Sequence, residues 1–536
     1  MESNLRHLPW FAVKRILLAA TALTLTLSLD ANALAVPRPP MVLPSEASTA
    51  SVGTWLIGVR PGARARRIIT GDGGRQILPG AFEVPRGRAR ALARKLTLTY
   101  AEPNRPRAYT AERAVPDDPL SPKSRWRDAA IDPSLAPPPV TSGSPLLALV
   151  DSKPRLSHPE FAGANVSSLP GGTVGVSHGT ETLGVAVAPQ NGVGIVGTYP
   201  GARATNVALP NRRIGCADSA RGIRRAVRTG AAVINMSYGS TAFCQTEYQA
   251  LQLATHRNIT LVAAGGNERA DGNPYEFPAS LPHVLTVGAL TPQNHAAFFS
   301  NTSAALDLVA PGVGIIAPLP EKFDTEDDGR DGYEVVDGTS FAAPIVSAAA
   351  IWIRTVRPEL TVDQVAQTIR LSATDITRHG WDKSTGYGKL NLAAALVATP
   401  PPPDPLEPNE DFRFVDGRAF GHKAAPIWRG GAAAHLTALL DLFEDPSDVY
   451  RLRIPAHRRA TITVKPEFGN ADVDVYAGGA PSIASDRGLL RRSQHPGKHR
   501  ERVTIRNRSG RTRTAQIQVY VRDRKPLDCR YTLTVR

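Results

Sequence analysis

Short apolar runs alternate with longer amphipathic stretches through the middle of the chain. Five of the runs have the length and the Val, Ile and Ala content of buried strands, and four stretches have the length and spacing of helices. The predicted strands are Leu147–Val150, Ala204–Leu209, Ala232–Met236, Thr260–Ala264 and Val284–Val287. The predicted helices are Ala217–Thr229, Glu247–Arg257, Ala343–Arg357 and Val362–Ser372. This alternation predicts an α/β domain in which a parallel sheet carries helices on both faces.

The regions on either side of this domain show different patterns. Before it, a strand at Thr54–Arg60, a basic helix at Arg86–Lys95 and a strand at Leu96–Tyr100 predict a small α+β unit. After it, a Pro-rich linker at residues 398–406 marks a domain boundary, and residues 407–536 contain short alternating strands that predict an antiparallel β-sandwich. These strands are Asp448–Ile454, Ala460–Val464, Ala471–Tyr476, Arg502–Ile505, Ala515–Val521 and Tyr531–Val535.

The first 35 residues have the pattern of a secretory signal. Basic residues precede an apolar stretch at Ile16–Leu29, and small residues at Ala33-Leu34-Ala35 or Ala31-Asn32-Ala33 supply a cleavage site. An uncleaved anchor is the alternative, but the apolar stretch is short. No later segment of the chain approaches the length of a transmembrane helix, so we predict a secreted, extracellular protein without a membrane span.

Composition and charge narrow the classes of partner. The 536 residues carry a formal net charge of +15, which favours anionic surfaces such as cell-surface polymers. The arginines are spread over all three regions, and no basic patch is interleaved with aromatic residues, so we do not predict nucleic-acid binding. Solubility or a compositional bias toward arginine is the alternative explanation of the net charge.

Three cysteines are present. Cys216 and Cys244 each precede a predicted helix and follow neighbouring strands, so they could lie at the same sheet edge and form a disulfide in an oxidising compartment. Cys529 would then remain outside any disulfide.

Candidate chemistry centres on Ser340, within Gly338-Thr-Ser-Phe-Ala-Ala-Pro344. A tight small-residue turn feeds an apolar helix here, which places the Ser340 hydroxyl on the first turn, where the free N–H groups favour negative charge. A helix N-cap is the alternative role for an isolated serine. Three further motifs precede it: Asp151 at the end of a strand, His178 in His-Gly-Thr, and Asn267 after a strand and two glycines.

These four motifs, in this order, resemble those of the subtilisin-like serine peptidases. The resemblance covers about half of the chain, and it implies a Ser340 nucleophile, a His178 general base, an Asp151 that orients it, and an Asn267 amide in the oxyanion hole. It also implies an N-terminal prodomain at residues 52–104, a processing linker at 105–117 and a catalytic domain at 118–397, with the prodomain and peptide substrates as partners.

The resemblance also implies peptide-binding segments. The segments Ser237-Tyr238-Gly239 and Ala263–Gly266, the latter with Ala263 and Gly265 as contacts, would pair with a bound substrate through backbone hydrogen bonds. Glu276 falls near the family's first specificity pocket, where a carboxylate would favour Arg or Lys; a solvent-facing side chain is the alternative.

Two departures from the family pattern are of the kind expected in a homologue that has lost catalytic activity. The family usually has Thr-Gly or Ser-Gly directly after its aspartate, whereas this sequence has Ser152-Lys153. The family often has a second His directly after His-Gly-Thr, and this sequence has Glu181 there. The alternative function is a catalytically silent secreted binding protein that retains the fold. No cofactor is required by either function. The acidic segment from Asp324 to Asp331 has a loose calcium-loop spacing, for which a solvated loop is the alternative.

Overall fold

The computed structural model describes most of the chain from residue 54 onward. The described residues are 54–104, 106–109, 112–113, 135–211, 213–325, 331–377, 380–402, 404, 406–419, 421–483, 486–521 and 528–536. The predicted signal segment and the predicted start of the catalytic domain therefore lie outside the described residues.

Residues 54–104 form the N-terminal domain, a four-stranded antiparallel sheet with two helices. Its elements are β1 (Thr54–Val59), α1 (Ala63–Gly71), β2 (Arg75–Leu78), β3 (Ala81–Pro85), α2 (Arg86–Lys95) and β4 (Leu98–Pro103). The strand order is β2-β3-β1-β4. The predicted α+β pattern is found, but helix α1 and the β2–β3 hairpin were not predicted. Two short strands follow, β5 (Pro106–Tyr109) and β6 (Glu112–Arg113).

The central domain contains a seven-stranded parallel sheet. The strands of the whole domain are β7 (Leu147–Asp151), β8 (Val166–Ser168), β9 (Ala204–Ala208), β10 (Ile214–Gly215), β11 (Val233–Met236), β12 (Tyr238–Gly239), β13 (Thr260–Ala264), β14 (Val284–Leu290), β15 (Leu308–Pro311), β16 (Ile315–Pro318) and β17 (Tyr333–Asp337). Strands β10, β12, β16 and β17 lie outside the parallel sheet. The order in the sheet is β15-β14-β13-β11-β7-β9-β8, and every neighbouring pair is parallel.

Helices cover both faces of this sheet, as the alternating pattern predicts. They are α3 (His178–Val187), α4 (Cys216–Arg228), α5 (Gln245–His256), α6 (Thr339–Val356), α7 (Val362–Leu371) and α8 (Leu392–Val397), with two 3-10 turns at Pro159–Phe161 and Glu321–Phe323. Helices α3 and α6 pack on one face, and α4 and α5 pack on the other. The predicted strands and helices agree with the structure within a few residues; α6 begins four residues earlier than predicted.

The N-terminal domain packs both faces of its sheet because β1 alternates its side chains. Trp55 and Ile57 point into the domain's own core. Leu56 on the opposite face joins Tyr100 in the apolar layer formed by α4 and α5 of the central domain. The sheet of one domain therefore lies directly on two helices of the other.

Residues 407–536 form the sandwich domain. After α9 (Phe412–Val415), its strands are β18 (Ala434–Asp441), β19 (Ser447–Ile454), β20 (Arg459–Pro466), β21 (Ala471–Ala477), β22 (Leu489–Ser493), β23 (Glu501–Arg506), β24 (Arg513–Val521) and β25 (Asp528–Val535). They form two antiparallel sheets, β18-β25-β20-β23 and β19-β24-β21-β22, that enclose one apolar core. The predicted sandwich is found, with β18 and β22 added to the six predicted strands.

The structure also bears on the predicted disulfide and on the prediction that the chain has no membrane span. Cys216 and Cys244 form the predicted disulfide, which joins the start of α4 to the start of α5, while Cys529 is buried and takes no part in it. Helix α6 is the one helix among the described residues with the length and hydropathy of a membrane span. It is 89% buried inside the protein, as expected for a core helix.

Candidate active site

Asp151 and His178 lie together at the carboxyl end of the sheet. Asp151 is the last residue of β7, and its Oδ1 lies 2.8 Å from His178 Nδ1. The same carboxylate accepts hydrogen bonds from the Ser152 backbone N–H at 2.6 Å and from the Thr182 hydroxyl at 3.0 Å. With Asp151 fully buried, these three partners fix the carboxylate, and the carboxylate fixes the orientation of the imidazole.

The residues that follow His178 explain why the helix can approach the aspartate so closely. A Cβ atom on Gly179 would lie 2.0 Å from the carbonyl oxygen of Ser152, so only glycine fits there. The Gly179 backbone N–H instead donates to Ser152 Oγ at 2.7 Å. The next side chain, Thr180, accepts from the backbone N–H of Arg155 at 3.0 Å. The His-Gly-Thr motif therefore positions α3 against the loop after β7.

Ser340 is the second residue of α6, as predicted. Four residues later, Pro344 lacks the N–H that would otherwise donate to the Ser340 carbonyl oxygen. The Ser237 hydroxyl takes that place and donates to Ser340 O at 2.8 Å, while Ser340 Oγ donates to Ser237 O at 3.3 Å. The proline of the serine motif thus lets the Ser340 carbonyl oxygen accept from Ser237. The two hydrogen bonds between Ser237 and Ser340 hold the Ser340 hydroxyl in place.

Asn267 is oriented by the residue before Ser340. Its side-chain oxygen accepts from the Thr339 backbone N–H at 3.0 Å and from the Thr339 hydroxyl at 2.9 Å. Because the oxygen is committed to Thr339, the amide nitrogen is the remaining donor of this side chain. Asn267 and Ser340 are thereby coupled through one intervening residue.

A supporting network beneath Ser340 was not predicted. Ser347, two turns along α6, donates to Asn235 Oδ1 at 2.9 Å, and Asn235 Nδ2 donates to Ser237 Oγ at 3.0 Å. All three side chains are fully buried. A polar Asn inside the buried strand β11 was the available signal in the sequence, because buried amides require partners.

The His-Pro pair after Asp151 has a structural role in this fold. His158 Nδ1 accepts from the Glu160 backbone N–H at 3.1 Å, so its Nε2 is the donor to the Gly332 carbonyl oxygen at 2.9 Å. Burial lowers the pKa of His158, which agrees with a neutral ring. The ring therefore ties the loop after β7 to the residue that precedes β17.

The two departures from the family pattern leave the Asp151–His178 pair intact. The Lys153 ammonium group donates to the Gly171 carbonyl oxygen at 3.1 Å, on a surface loop. Glu181 is buried in the first turn of α3, where the helix dipole favours a negative charge.

The predicted peptide-binding segments are arranged around a segment of the chain itself. Strand β5 lies antiparallel between β10 and β12, with Ala108 opposite Gly239 and Tyr109 opposite Tyr238. Ala263 lies inside the central sheet, paired with Met236 on one side and Thr286 on the other. Gly265 lies just beyond that sheet and donates to Val287 O at 2.8 Å.

Glu276 is buried, which excludes the solvent-facing alternative. A Cβ atom added to Gly239 would meet its carboxylate oxygen at 2.5 Å, and one added to Gly266 would meet its side chain at 2.6 Å. Glu276 therefore lies between the two predicted peptide-binding segments, close to a glycine of each.

Comparison with known proteins agrees with this geometry. The profile of the subtilase family (Peptidase S8) matches residues 170–388. Subtilisin BL of Lederbergia lenta is 33% identical over 223 residues, which are 41% of this chain and 78% of that protein. The chain belongs to the subtilase family of serine peptidases. Subtilisin DY of Bacillus licheniformis is 30% identical to this subtilase over 257 residues, which are 46% of the chain and 89% of the relative.

A relative with additional domains extends the comparison. Fervidolysin of Fervidobacterium pennivorans is 27% identical over 365 residues, which are 62% of this subtilase. Its crystal structure, described as that of a keratinolytic enzyme related to subtilisin, matches with a TM-score of 0.57 at 20% identity over 84% of both chains, which establishes a shared fold. This chain spans about half the length of the curated fervidolysin sequence, so the activity and partners of this subtilase are proposals.

Proposed function

We propose that this subtilase is a secreted serine endopeptidase made as a self-processed zymogen. In this mechanism Ser340 attacks the peptide carbonyl, and His178 takes the hydroxyl proton and returns it to the leaving amine. Asp151 holds His178 with Nδ1 protonated and stabilises the imidazolium that forms. Substrate acyl groups remain on Ser340 Oγ until water, activated by the same imidazole, releases them. The mechanism requires no cofactor.

The oxyanion formed by the attack would be stabilised by two donors. One is the Asn267 amide nitrogen, since the oxygen of the same side chain accepts from Thr339. The other is the Ser340 backbone N–H in the first turn of α6, where the helix dipole also favours negative charge. Each such donor contributes roughly 2.7–4 kcal/mol to transition-state stabilisation.

Self-processing is supported by the path of the chain across the site. On one side, β5 pairs with β12 and ends at Tyr109, which lies opposite Tyr238. The residue before Tyr238 is Ser237, whose carbonyl oxygen accepts from Ser340 Oγ. On the other side, Glu112 pairs with Asp337, three residues before Ser340. This is the observation that carries the proposal: the described segments before and after residues 110–111 pair with strands on both sides of the nucleophile.

The bond to be cut follows from the same register. The candidates are the three bonds between Tyr109 and Glu112, within the predicted processing linker, so the new N-terminus would be at Thr110, Ala111 or Glu112. None of these bonds follows a basic residue. Cleavage within one chain has a high effective concentration, so it does not require the side chain that the pocket prefers.

We propose that Glu276 directs cleavage of other substrates toward Arg or Lys. Its carboxylate is buried between Gly239 and Gly266, where a cationic side chain would find a desolvated partner. Peptides that differ only at the cleaved residue would measure this preference in the wild type and in Glu276→Gln. An unchanged preference in the variant, or a wild-type preference for large apolar residues, would contradict it.

The proposed activity is tested directly by a fluorophosphonate label together with casein hydrolysis. The wild type should be labelled on Ser340 and should cleave casein. Ser340→Ala should do neither, and Ser372→Ala, a serine at the end of α7, should behave as the wild type. An unlabelled, inactive wild type would instead support the silent binding protein.

A second function, binding of an anionic polymer, is favoured by one face of the sandwich domain. The basic face consists of outward side chains on β20 and β23: Arg459, Thr463, Lys465, Arg502, Thr504 and Arg506. Arg459 lies directly opposite Arg506, a like-charge pair that does not favour folding. Among the described residues, no carboxylate pairs with these cations.

A linear sulfated or carboxylated polysaccharide fits this face, because its charges match the arginines and its hydroxyl groups match the threonines. Heparin serves as the probe. Arg459→Glu with Arg506→Glu should elute from heparin at clearly lower salt than the wild type, whereas Arg257→Glu with Lys383→Glu, which changes the net charge equally in the central domain, should have a smaller effect. Equal effects of the two pairs would refute a localised site.

A further inference from the structure

One loop of the central domain lies between the proposed substrate pocket and the sandwich domain. This bridging loop, residues 301–305, comes shortly before β15. Its last residue, Ala305, is 4% exposed and belongs to the apolar core of the sandwich domain. Ala304 beside it is partly buried against the same core. The bridging loop therefore ends inside the core of another domain.

The first residue of the bridging loop holds the segment that follows β13. The Asn301 backbone N–H donates to the Gly266 carbonyl oxygen at 3.0 Å. Its side-chain Nδ2 donates to Glu268 Oε2 at 3.2 Å, and the same carboxylate oxygen accepts from the Asn267 backbone N–H at 2.8 Å. Asn301 is buried, so water competes little for these hydrogen bonds. One buried amide thus supports three consecutive residues, among them the proposed oxyanion donor.

The second residue of the bridging loop holds the segment that leads to Glu276. Asn273 Nδ2 donates to the Thr302 carbonyl oxygen and to Thr302 Oγ1, both at 2.9 Å, and Asn273 Oδ1 accepts from the Thr302 backbone N–H at 2.7 Å. The Asn301 amide also donates to the Pro274 carbonyl oxygen at 3.2 Å. Together these hydrogen bonds fix the backbone two and three residues before Glu276.

Glu276 lies in a narrow space whose two sides are held by different elements. Gly239 on one side belongs to β12, and Gly266 on the other side is held by Asn301. Side-chain atoms of Glu276 would lie only 2.5 and 2.6 Å from a Cβ atom added at these two glycines. A small shift of the residues before Glu276 therefore moves its carboxylate relative to both sides of the space.

Little slack separates the two ends of the bridging loop. The Ser303 hydroxyl accepts from the Ala305 backbone N–H at 3.0 Å, and the Ser303 backbone N–H donates to the Lys383 carbonyl oxygen at 2.9 Å. Three residues span at most about 10 Å even when fully extended, and this turn is tighter. A displacement of Ala305 is therefore passed on to Thr302 and, through it, to Asn273.

We propose that the sandwich domain positions the substrate pocket of this subtilase through the bridging loop, with Asn273 and Asn301 as positioning residues for Glu276. Both asparagines act through the segments that they hold rather than on the reacting atoms. This inference rests on the proposed peptidase activity and on the proposal that the pocket at Glu276 receives the side chain of the cleaved residue. The sandwich domain thus contributes to substrate selection without binding the substrate itself.

The test compares full-chain variants on two peptides that differ only at the cleaved residue, which is Arg in one and Ala in the other. An alanine side chain is too short to reach the Glu276 carboxylate, so only the Arg peptide reports its position. Asn273→Gly removes the side-chain hydrogen bonds and keeps the backbone conformation, because Asn273 has a φ of 50° and glycine adopts positive φ readily. It should lower kcat/KM for the Arg peptide about 3- to 10-fold and leave that for the Ala peptide within about twofold.

Ala305→Leu tests the other end of the bridging loop. The larger side chain overpacks the sandwich core at this contact and should displace the loop, so it should also act selectively on the Arg peptide. Asn258→Gly is the matched control, because Asn258 also has a positive φ, of 57°, and its Oδ1 accepts from the Val362 backbone N–H at 2.7 Å at the opposite end of β13. The control should lower the unfolding temperature without changing the ratio of kcat/KM for the two peptides.

Two results would overturn the inference. One is an Asn273→Gly variant that affects both peptides equally, because this is the effect of general destabilisation. The other is an Ala305→Leu variant that keeps the wild-type ratio, because the sandwich domain would then have no influence on the pocket. Failure of the proposed peptidase activity gives a different result: the wild type would take no fluorophosphonate label and would cleave neither peptide. A labelled wild type in which only Glu276→Gln changes the ratio would retain the pocket and refute the role of the bridging loop.

Discussion

A buried contact between the proposed prodomain and the central domain is made by Glu102, near the end of β4. Its carboxylate accepts from the backbone N–H groups of Gln245 and Thr246 at 3.1 and 3.2 Å and from the Thr246 hydroxyl at 3.2 Å. It thus caps the start of α5 from another domain, and only 6% of the residue is exposed. We predict that Glu102→Gln weakens the complex between the cleaved prodomain and the enzyme.

The size of the effect follows from these contacts. A hydrogen bond to a charged group contributes about 1.5–3 kcal/mol net, and a charge at a helix N-terminus contributes about 0.3–2 kcal/mol. Glutamine keeps one acceptor, loses the charge, and turns an NH₂ group toward N–H donors. A loss of about 2–4 kcal/mol follows, equivalent to roughly 30- to 1000-fold weaker binding.

The assay starts from the chain after the proposed self-processing, which we expect to leave the two parts associated without a covalent bond. Dilution followed by size exclusion and by the appearance of peptidase activity gives the dissociation constant. Lys95→Gln is the matched control, because Lys95 pairs with Asp72 on the exposed side of the proposed prodomain. A change of less than about threefold for Glu102→Gln, or an equal change for the control, would refute the reasoning.

Three further predictions concern pH, the triad and the disulfide. Burial raises the pKa of Glu83, but its arginine partners outweigh this and lower it, so its stabilising charge is present above its ordinary value of 4.5 and is lost as the pH falls through the lowered value. The prodomain should therefore dissociate more readily in acid below about pH 4.5, and a complex that tightens there would contradict this. Thr182→Val removes a hydrogen bond to Asp151 and should lower kcat/KM about tenfold without changing the unfolding temperature by more than a few degrees; unchanged kinetics would argue against a fixed carboxylate. Replacing Cys216 and Cys244 together by serine should lower the free energy of unfolding by about 3–4 kcal/mol, since the disulfide spans 28 residues. Denaturant unfolding measures this loss, and a loss well below this range would contradict the prediction.

The candidate site was predictable from sequence because each of its motifs is local. Asp151 and Asn267 follow apolar strands, and Ser340 opens an apolar helix, so the rule that sites lie at the carboxyl ends of parallel strands brings them together. The supporting pair Asn235 and Ser347 was missed because each is an ordinary polar residue in its own element, and only packing brings them into contact.

The link between the pocket and the sandwich domain could not be predicted for a related reason. Asn273 and Thr302 are 29 positions apart, in two loops, and neither belongs to a recognisable motif. Helix α1 was also missed. Its first half is rich in arginine between Arg64 and Arg67, so its few apolar residues do not form a recognisable helical pattern.

The central claim is that Ser340 cuts its own chain between the prodomain and the central domain. The most direct measurement is the intact mass of the purified wild type beside Ser340→Ala. The account predicts a wild-type fragment that begins at Thr110, Ala111 or Glu112, and a mutant that keeps its N-terminal domain. A wild type that keeps this domain, or a mutant cut at the same bond, would contradict self-processing by Ser340.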